Sequence, residues 1–452
     1  MRACQSVPKK MILRGCWRCC CARGCLWRCR RACRIIFALA VISVLSLLAE
    51  RWRSRAPQDC TSVPARFDLR NVPAMLYEGR APSTDVSEPR RIPEGPRRIY
   101  IHTSWRSGSS MVGELFNQHP DVFYVYEPVW HLWRTFPGAG AAALQRGARD
   151  MLRSIFQCKL SAAFRGLVGT SQVPGANFTM FGWSDNKALC SQPLCDAYSK
   201  RQVGVVEGKR CRRLCHPPNP VQMDAQCRRF PAVVVKGVRV LDLSVLEPLV
   251  QRDDVRIVHL VRDPRAVLAS RLRTASALAW DHAMVARGRV IVGRGRPRNL
   301  PLWLTSRRRL EFLALTSLEM LCESSARGLS SSLKTWLRDR YMLLRYEDLL
   351  LEPERSLDAL FRFTGLEPHR GVYNYLQGLL QAPPAPLPPP PAISRSAISD
   401  TRPPAPPAFA VTPRDPRISL SRWLTILRPD VIRRLQTTCA GAMRSLGYVP
   451  LC

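Results

Sequence analysis

Five short apolar runs, separated by helix-like stretches, restrict this chain more than any other feature of it. They are "RRIYIHTS" (97–104), "FYVY" (123–126), "AVVVKGVRV" (232–240), "VRIVHLV" (255–261) and "YMLLRY" (341–346). The first alternates and the others are almost continuously apolar, the pattern of strands covered on both faces. Apolar periodicity between them predicts helices over Ser109–Asn117, about Gly138–Phe156, Leu241–Gln251, Ala266–Ala275 and Leu310–Ala326. Strands alternating with helices need crossover connections. The expected fold is therefore α/β, a doubly wound, mainly parallel sheet with flanking helices in one domain.

Two segments fall outside that pattern. Residues 276–309 are rich in Arg without a clear period and are expected to form a surface loop over the sheet edge. Residues 382–407, "APPAPLPPPPAISRSAISDTRPPAPP", hold too much Pro for helix or ladder and predict a polyproline or disordered insertion. A last helical segment, about 418–446, should pack back onto the domain. The domain is expected to span 98–452.

The N-terminus indicates where such a domain works. Residues 1–34 carry ten basic residues and no acid, and an uncharged run, "IIFALAVISVLSLLA", fills 35–49. Fifteen helical residues span about 22 Å, short of a bilayer core of roughly 30 Å, but snorkelling by Arg34 and Arg51 with Trp52 at the interface extends the reach. A cleaved signal peptide fits poorly, because its basic region would be far too long and no small-residue cleavage site is clear. The expectation is an uncleaved transmembrane signal anchor. By the positive-inside rule, residues 1–34 form a cytoplasmic tail, 50–97 a luminal stem, and the rest a luminal, type II domain.

Cysteine usage divides in the same way. Eight of the 18 Cys lie in residues 4–33, candidates for acylation beside a membrane; a zinc site there would have a single CxxC and no His. The other ten (60, 158, 190, 195, 211, 215, 227, 322, 439 and 452) are even in number, as disulfides in an oxidising lumen would require. The five from Cys190 to Cys227 suggest a stapled insertion. Asn177-Phe178-Thr179 is a glycosylation sequon, with Asn177 the acceptor.

Charge narrows the partner. The chain has 69 Lys plus Arg against 34 Asp plus Glu, and only eight of the cations are Lys. Without residues 1–34, 59 basic residues still face 34 acidic ones. Arg offers a planar fork suited to phosphate and sulfate. No nucleic acid is expected in a secretory lumen, so the partners to expect are acidic glycans or nucleotides. Nothing in the sequence decides the oligomeric state.

Two loops carry the chemistry. The first, Ser104, Trp105, Arg106, Ser107, Gly108, Ser109 and Ser110, leads from a buried strand straight into a helix. Helix N-termini present unpaired N–H groups and about half a positive charge, so they receive anions. Gly108 allows close backbone approach, the hydroxyls donate, and Arg106 can fork onto phosphate or sulfate. The same small residues would also make a plain tight turn. The loop is no Walker A motif, and no paired acid for magnesium accompanies it, so no metal is expected. The second loop, in "VRIVHLVRDPRAVLASR", places Arg262, Asp263, Pro264 and Arg265 at a strand's carboxyl end and Ser270 eight residues on from Arg262. Asp263-Pro264 is a helix N-cap followed by Pro at the first helical position.

Together these loops resemble the sulfotransferase family, whose donor, 3′-phosphoadenosine 5′-phosphosulfate, has two separated anionic groups. "RSGSS", "GELFNQHPDVFYVYEPVWH", "VKGVR", "LVRDPRAVLASR", "LRYEDLL" and the C-terminal Trp segment are similar, in order, to the Golgi carbohydrate sulfotransferases that modify O6 of N-acetylglucosamine or N-acetylgalactosamine. The resemblance implies a P-loop-like sulfotransferase fold, Golgi residence, a glycan acceptor, the first loop on the 5′-phosphosulfate and Arg262 with Ser270 on the 3′-phosphate. Arg106 stands where many family members have a Lys. Cytosolic relatives end a strand in K-T-H with His as the base, whereas here Lys236-Gly237-Val238 puts Val there. Lys236 keeps a cation for the transferring sulfate. Glu127, at the end of an aromatic strand, is the candidate base, with His131 as substitute. Residues Phe123, Tyr124, Tyr126 and Trp130 around it suggest a carboxyl pKa raised toward the working pH. A salt bridge from Glu127 to an Arg is the alternative.

Arg239 can face donor or acceptor. Glu347 and Asp348 have the pattern of strand-end and helix-cap residues, and Trp130, Trp133 and Trp423 suit sugar stacking or core packing equally. A non-catalytic, membrane-anchored binder of acidic glycans is the rival function. A nucleotide kinase is the third, weakened by the missing magnesium acids.

Overall fold

β1 (Arg97–His102), β2 (Val122–Tyr126), β3 (Ala232–Gly237), β4 (Val255–Val261) and β5 (Tyr341–Arg345) form one sheet in the order β2-β3-β1-β4-β5, every pair parallel. The strands agree with the five apolar runs to within a few residues. All six residues of β3 and all seven of β4 are buried, which is why those runs show no alternation. The chain moves outward from β1 to β2, returns to β3, then crosses to β4 and β5. Direction reverses around β1, and the carboxyl ends there are where open α/β sheets bind ligands.

The computed structural model describes residues 96–168, 178–204, 206–286, 306–331, 336–381, 411, 413 and 415–451. All belong to one of two compact units, Thr61–Cys452. The basic tail, the apolar run 35–49, the stem up to residue 95, Asn177 and the proline-rich 382–407 lie outside the described residues. Among the described residues no helix is long and apolar enough to cross a membrane.

Helices follow the periodic segments with three differences. The helix expected from Gly138 starts at Gln145, since Gly140 adopts φ 75° and interrupts it. Leu241–Gln251 divides into a 3₁₀ turn, Leu243–Leu246, capped by Asp242, and a helix Glu247–Asp253 with Pro248 in its first turn. The third difference is a correction. The stretch 276–309 is not wholly a surface loop: Ala275–Ala286 is a helix packed on the long helix Arg307–Ser331, with Leu278, Ala279, Asp281, His282 and residues 283–286 buried. A helix buried on most sides has no polar stripe, so its period is invisible. Residues 287–305, which hold much of the Arg, lie outside the described residues.

Among the described residues the cysteines pair as Cys158–Cys227, Cys190–Cys211, Cys195–Cys215 and Cys322–Cys439. Two of these staple the 190–215 segment internally, and Cys227 ties it back to the first half of the domain. The C-terminal segment is a series of short helices, Pro416–Ser421, Trp423–Ile426, Pro429–Thr438 and Ala440–Ser445. Buried Trp423, Leu435 and Cys439 seat it on the domain, and Cys439 is bonded to the long helix.

Candidate active site

The carboxyl ends of β1 to β4 open onto one cavity of ≈ 290 Å³. Both anion loops reach it. From the first come Trp105, Arg106, Gly108, Ser109 and Ser110; from the second, Arg262 and Ser270; Glu127, Lys236 and Arg239 complete the wall. The loops touch each other: Arg106 Nε donates to Ser270 Oγ at 3.0 Å and Arg262 Nη1 to the Arg106 carbonyl at 3.2 Å. Arg262 also donates to the Ser419 carbonyl, and its guanidinium lies 4.5 Å from the centre of the Tyr346 ring. Its Nε is buried with no hydrogen-bond partner among the described residues.

Backbone conformation sets up this arrangement. Arg106 (φ 72°) and Glu127 (φ 43°) both sit in the left-handed region, a state costing a non-Gly residue about 1–3 kcal/mol that is concentrated at functional sites. Gly108 (φ 89°) precedes the helix Ser109–Gln118 and accepts from the Met111 N–H at 3.0 Å. A Cβ on Gly108 would lie 2.1 Å from the Tyr346 ring. Only glycine lets that ring close over the loop.

Glu127 is 7% exposed and its two oxygens are divided between two cations. Oε1 accepts from Lys236 Nζ, Oε2 from Arg239 Nη1, and the Glu127 N–H donates to the Lys236 carbonyl at 2.9 Å. The aromatic strand therefore does not raise the carboxyl's pKa as its sequence suggested. Burial pushes it up, but Lys236 and Arg239 together outweigh burial and hold it at about 2, below the ordinary 4.5. The salt-bridge alternative is what the folded chain adopts, in the same cavity as both loops. Arg239 in turn gives Nε and Nη2 to Asp281 Oδ1 at 3.1 and 2.8 Å. Burial raises the Asp281 pKa, opposed by Arg239. Formally, Arg106, Lys236, Arg239 and Arg262 exceed Glu127 and Asp281 by two charges, so the cavity favours an anion.

Because the Glu127 pKa is lower folded than unfolded, its ion pairs stabilise the fold above about pH 4.5, and that contribution is lost as pH falls through about 2. Acid titration followed by circular dichroism should show the wild type losing stability across that window. Glu127→Gln should lose it less steeply.

Other expected site residues build the walls. Ser104 and Ser107 bond each other at 2.9 Å and line a separate cavity of ≈ 60 Å³, along with Pro264. Asp263 is fully buried, caps its helix by accepting the Arg265 N–H at 2.8 Å, and pairs with the Arg265 guanidinium. Arg265 is also fully buried and stacks over Trp423 rather than reaching the main cavity. His131 Nε2 accepts from the Phe181 N–H at 2.9 Å, away from the cavity wall, and burial lowers its pKa to about 4. Glu347 accepts from the Asp263 N–H and the Tyr448 hydroxyl, while Asp348 pairs with Arg345, so both are structural. Trp133 and Trp423 are buried; Trp130 lines the cavity, stacked on Phe181 with ring centres 4.6 Å apart.

Asp281, Phe181 and Tyr346 escaped the sequence reading. Asp281 lies in the segment taken for a loop, and Phe181 follows a stretch without period. Tyr346 is joined to Gly108 only by the fold.

A parallel sheet whose carboxyl edge joins a glycine-dependent helix N-terminus to a second Arg–Ser loop defines an α/β protein with a cationic pocket suited to an anionic ligand. Comparison with known proteins makes this specific. The sulfotransferase domain family matches residues 96–378. Carbohydrate sulfotransferase 7 of Mus musculus is 35% identical over 467 residues, covering 93% of this chain and 93% of that protein. Carbohydrate sulfotransferase 2 of Homo sapiens is 36% identical over 77% of this chain and 64% of its own length, and carbohydrate sulfotransferase 6 of Homo sapiens is 35% identical over 78% and 81%. The chain belongs to the carbohydrate sulfotransferase family.

Proposed function

We propose that the protein transfers sulfate from 3′-phosphoadenosine 5′-phosphosulfate to the 6-hydroxyl of N-acetylglucosamine, or of N-acetylgalactosamine, in glycans. It does so in the Golgi lumen, held by the anchor at 35–49. The observation that carries the reading is the single cavity in which both anion loops meet Glu127 and Lys236. The residues suit the donor. Gly108, Ser109 and Ser110 bring the helix N-terminus to the cavity wall, and the buried Arg262 Nε has a proton still to donate.

When bound, the donor supplies a sulfuryl group on an adenosine 3′,5′-bisphosphate leaving group. Arg106 and the N–H groups opening the helix at Ser109 would hold its 5′ end, and Arg262 with Ser270 Oγ would hold the 3′-phosphate. Lys236 Nζ and Arg106 spread positive charge over the region where negative charge grows. Glu127 takes the proton from the sugar hydroxyl. Ionised throughout the working range, it is always ready to accept, though two cations weaken it as a base. Any anion drawing Lys236 Nζ from Oε1 removes one of those cations and raises the carboxyl's proton affinity.

Labelled donor offered to glycans ending in either hexosamine, each beside its 6-deoxy form, tests this. Label should enter the 6-hydroxyl sugars alone. Equal labelling of the 6-deoxy sugars, or none of either, would overturn it.

A further inference from the structure

Arg239 faces two carboxylates, and the way it divides its donors bears on the chemistry. Arg239 is 4% exposed, and its guanidinium lies 5.5 and 5.6 Å from the ring centres of Trp105 and Trp133. Nε and Nη2 are both taken by Asp281 Oδ1, and Nη1 goes to Glu127 Oε2. Asp281 is 9% exposed, on the helix Ala275–Ala286, and lines the cavity itself. Lys236, Glu127, Arg239 and Asp281 thus alternate in sign along the chain of contacts and sum to zero.

We propose that Asp281 is a positioning residue: by holding one edge of the Arg239 guanidinium, it limits Arg239 to a single hydrogen bond on Glu127 and fixes where the Glu127 carboxylate points. An Arg left alone with a carboxylate prefers the bidentate fork, two parallel N–H···O bonds. In that arrangement both Glu127 oxygens would be engaged by Arg239, and Lys236 would share Oε1 with Arg239 instead of holding it alone. With Asp281 in place, Oε1 accepts from Lys236 alone and Oε2 from Arg239. Asp281 touches no reacting atom in this scheme and acts through Arg239. The inference rests on the reading that Glu127 takes the acceptor proton.

The test uses the full chain, with donor sites counted by calorimetric titration of adenosine 3′,5′-bisphosphate. Asp281→Asn should lower kcat per donor site roughly 10–100-fold, the scale of a misplaced catalytic group. Affinity for the bisphosphate should stay at the wild-type value, and Asp281→Glu should recover most of the rate. Wild-type kcat in Asp281→Asn overturns the proposal, and so does a loss of bisphosphate affinity that accounts for the whole effect. Should Asp281→Asn fold poorly, Arg239→Ala with and without Asp281→Asn removes the uncompensated charge. A residue acting through Arg239 then adds no further loss, whereas an additive loss overturns it. Glu127→Gln at full rate would instead sink the proton-acceptor reading, whatever the Asp281 variants do.

Discussion

Glu127→Gln should lower kcat for sulfate transfer by about 10²–10⁴-fold, the usual contribution of a positioned general base. Glutamine keeps the size of the side chain, but it exchanges one acceptor oxygen for an NH2 donor and removes the negative charge together with the ability to take a proton. The fold should survive, because Lys236 is already held below its usual pKa by burial and can lose its proton rather than remain an unpaired buried cation. Binding of adenosine 3′,5′-bisphosphate, which we propose rests on Arg106, Arg262 and Ser270, should be unchanged. Initial rates with saturating donor and calorimetry on the same preparation decide the matter. Full activity with intact binding would move the proton acceptor elsewhere.

Gly108→Ala should destroy donor binding, for two reasons that add. Its φ of 89° lies where a side chain is strained, at about 1–3 kcal/mol. Its new methyl would also meet the Tyr346 ring at 2.1 Å. Tyr346 is fully buried and carries the Arg262 guanidinium on its face, so displacing the ring disturbs the second loop through the first. Affinity for the bisphosphate should fall by about 100-fold or more, equivalent to roughly 2.7 kcal/mol. Gly138→Ala is the control, since a Cβ there meets nothing within 4 Å. Equal behaviour of the two variants in calorimetry would show that the loop does not hold the donor.

Much of the site was legible because its parts are local. A strand, a small-residue loop and a helix N-terminus lie within a dozen residues, and the Asp263 cap with Pro264 is two residues long. Their roles differ from their appearance in one respect. Of the basic residues beside that cap, Arg262 reaches the cavity and Arg265 turns inward to Asp263 and Trp423. Sequence separates neither case, because both follow the same strand and differ only in the side of the chain they occupy.

From the residues alone came the parallel sheet, the two loops at its carboxyl edge and the carboxylate waiting at the end of β2. These depend on apolar periodicity, glycine and capping, which act over a few residues. The fold alone decided the state of that carboxylate. Its partners Lys236 and Arg239 lie 109 and 112 residues away along the chain, and Asp281 stands 42 beyond Arg239. A pKa is set by the charges within a few ångströms. Folding brought two cations there, and they lowered a pKa that burial among aromatic rings would have raised.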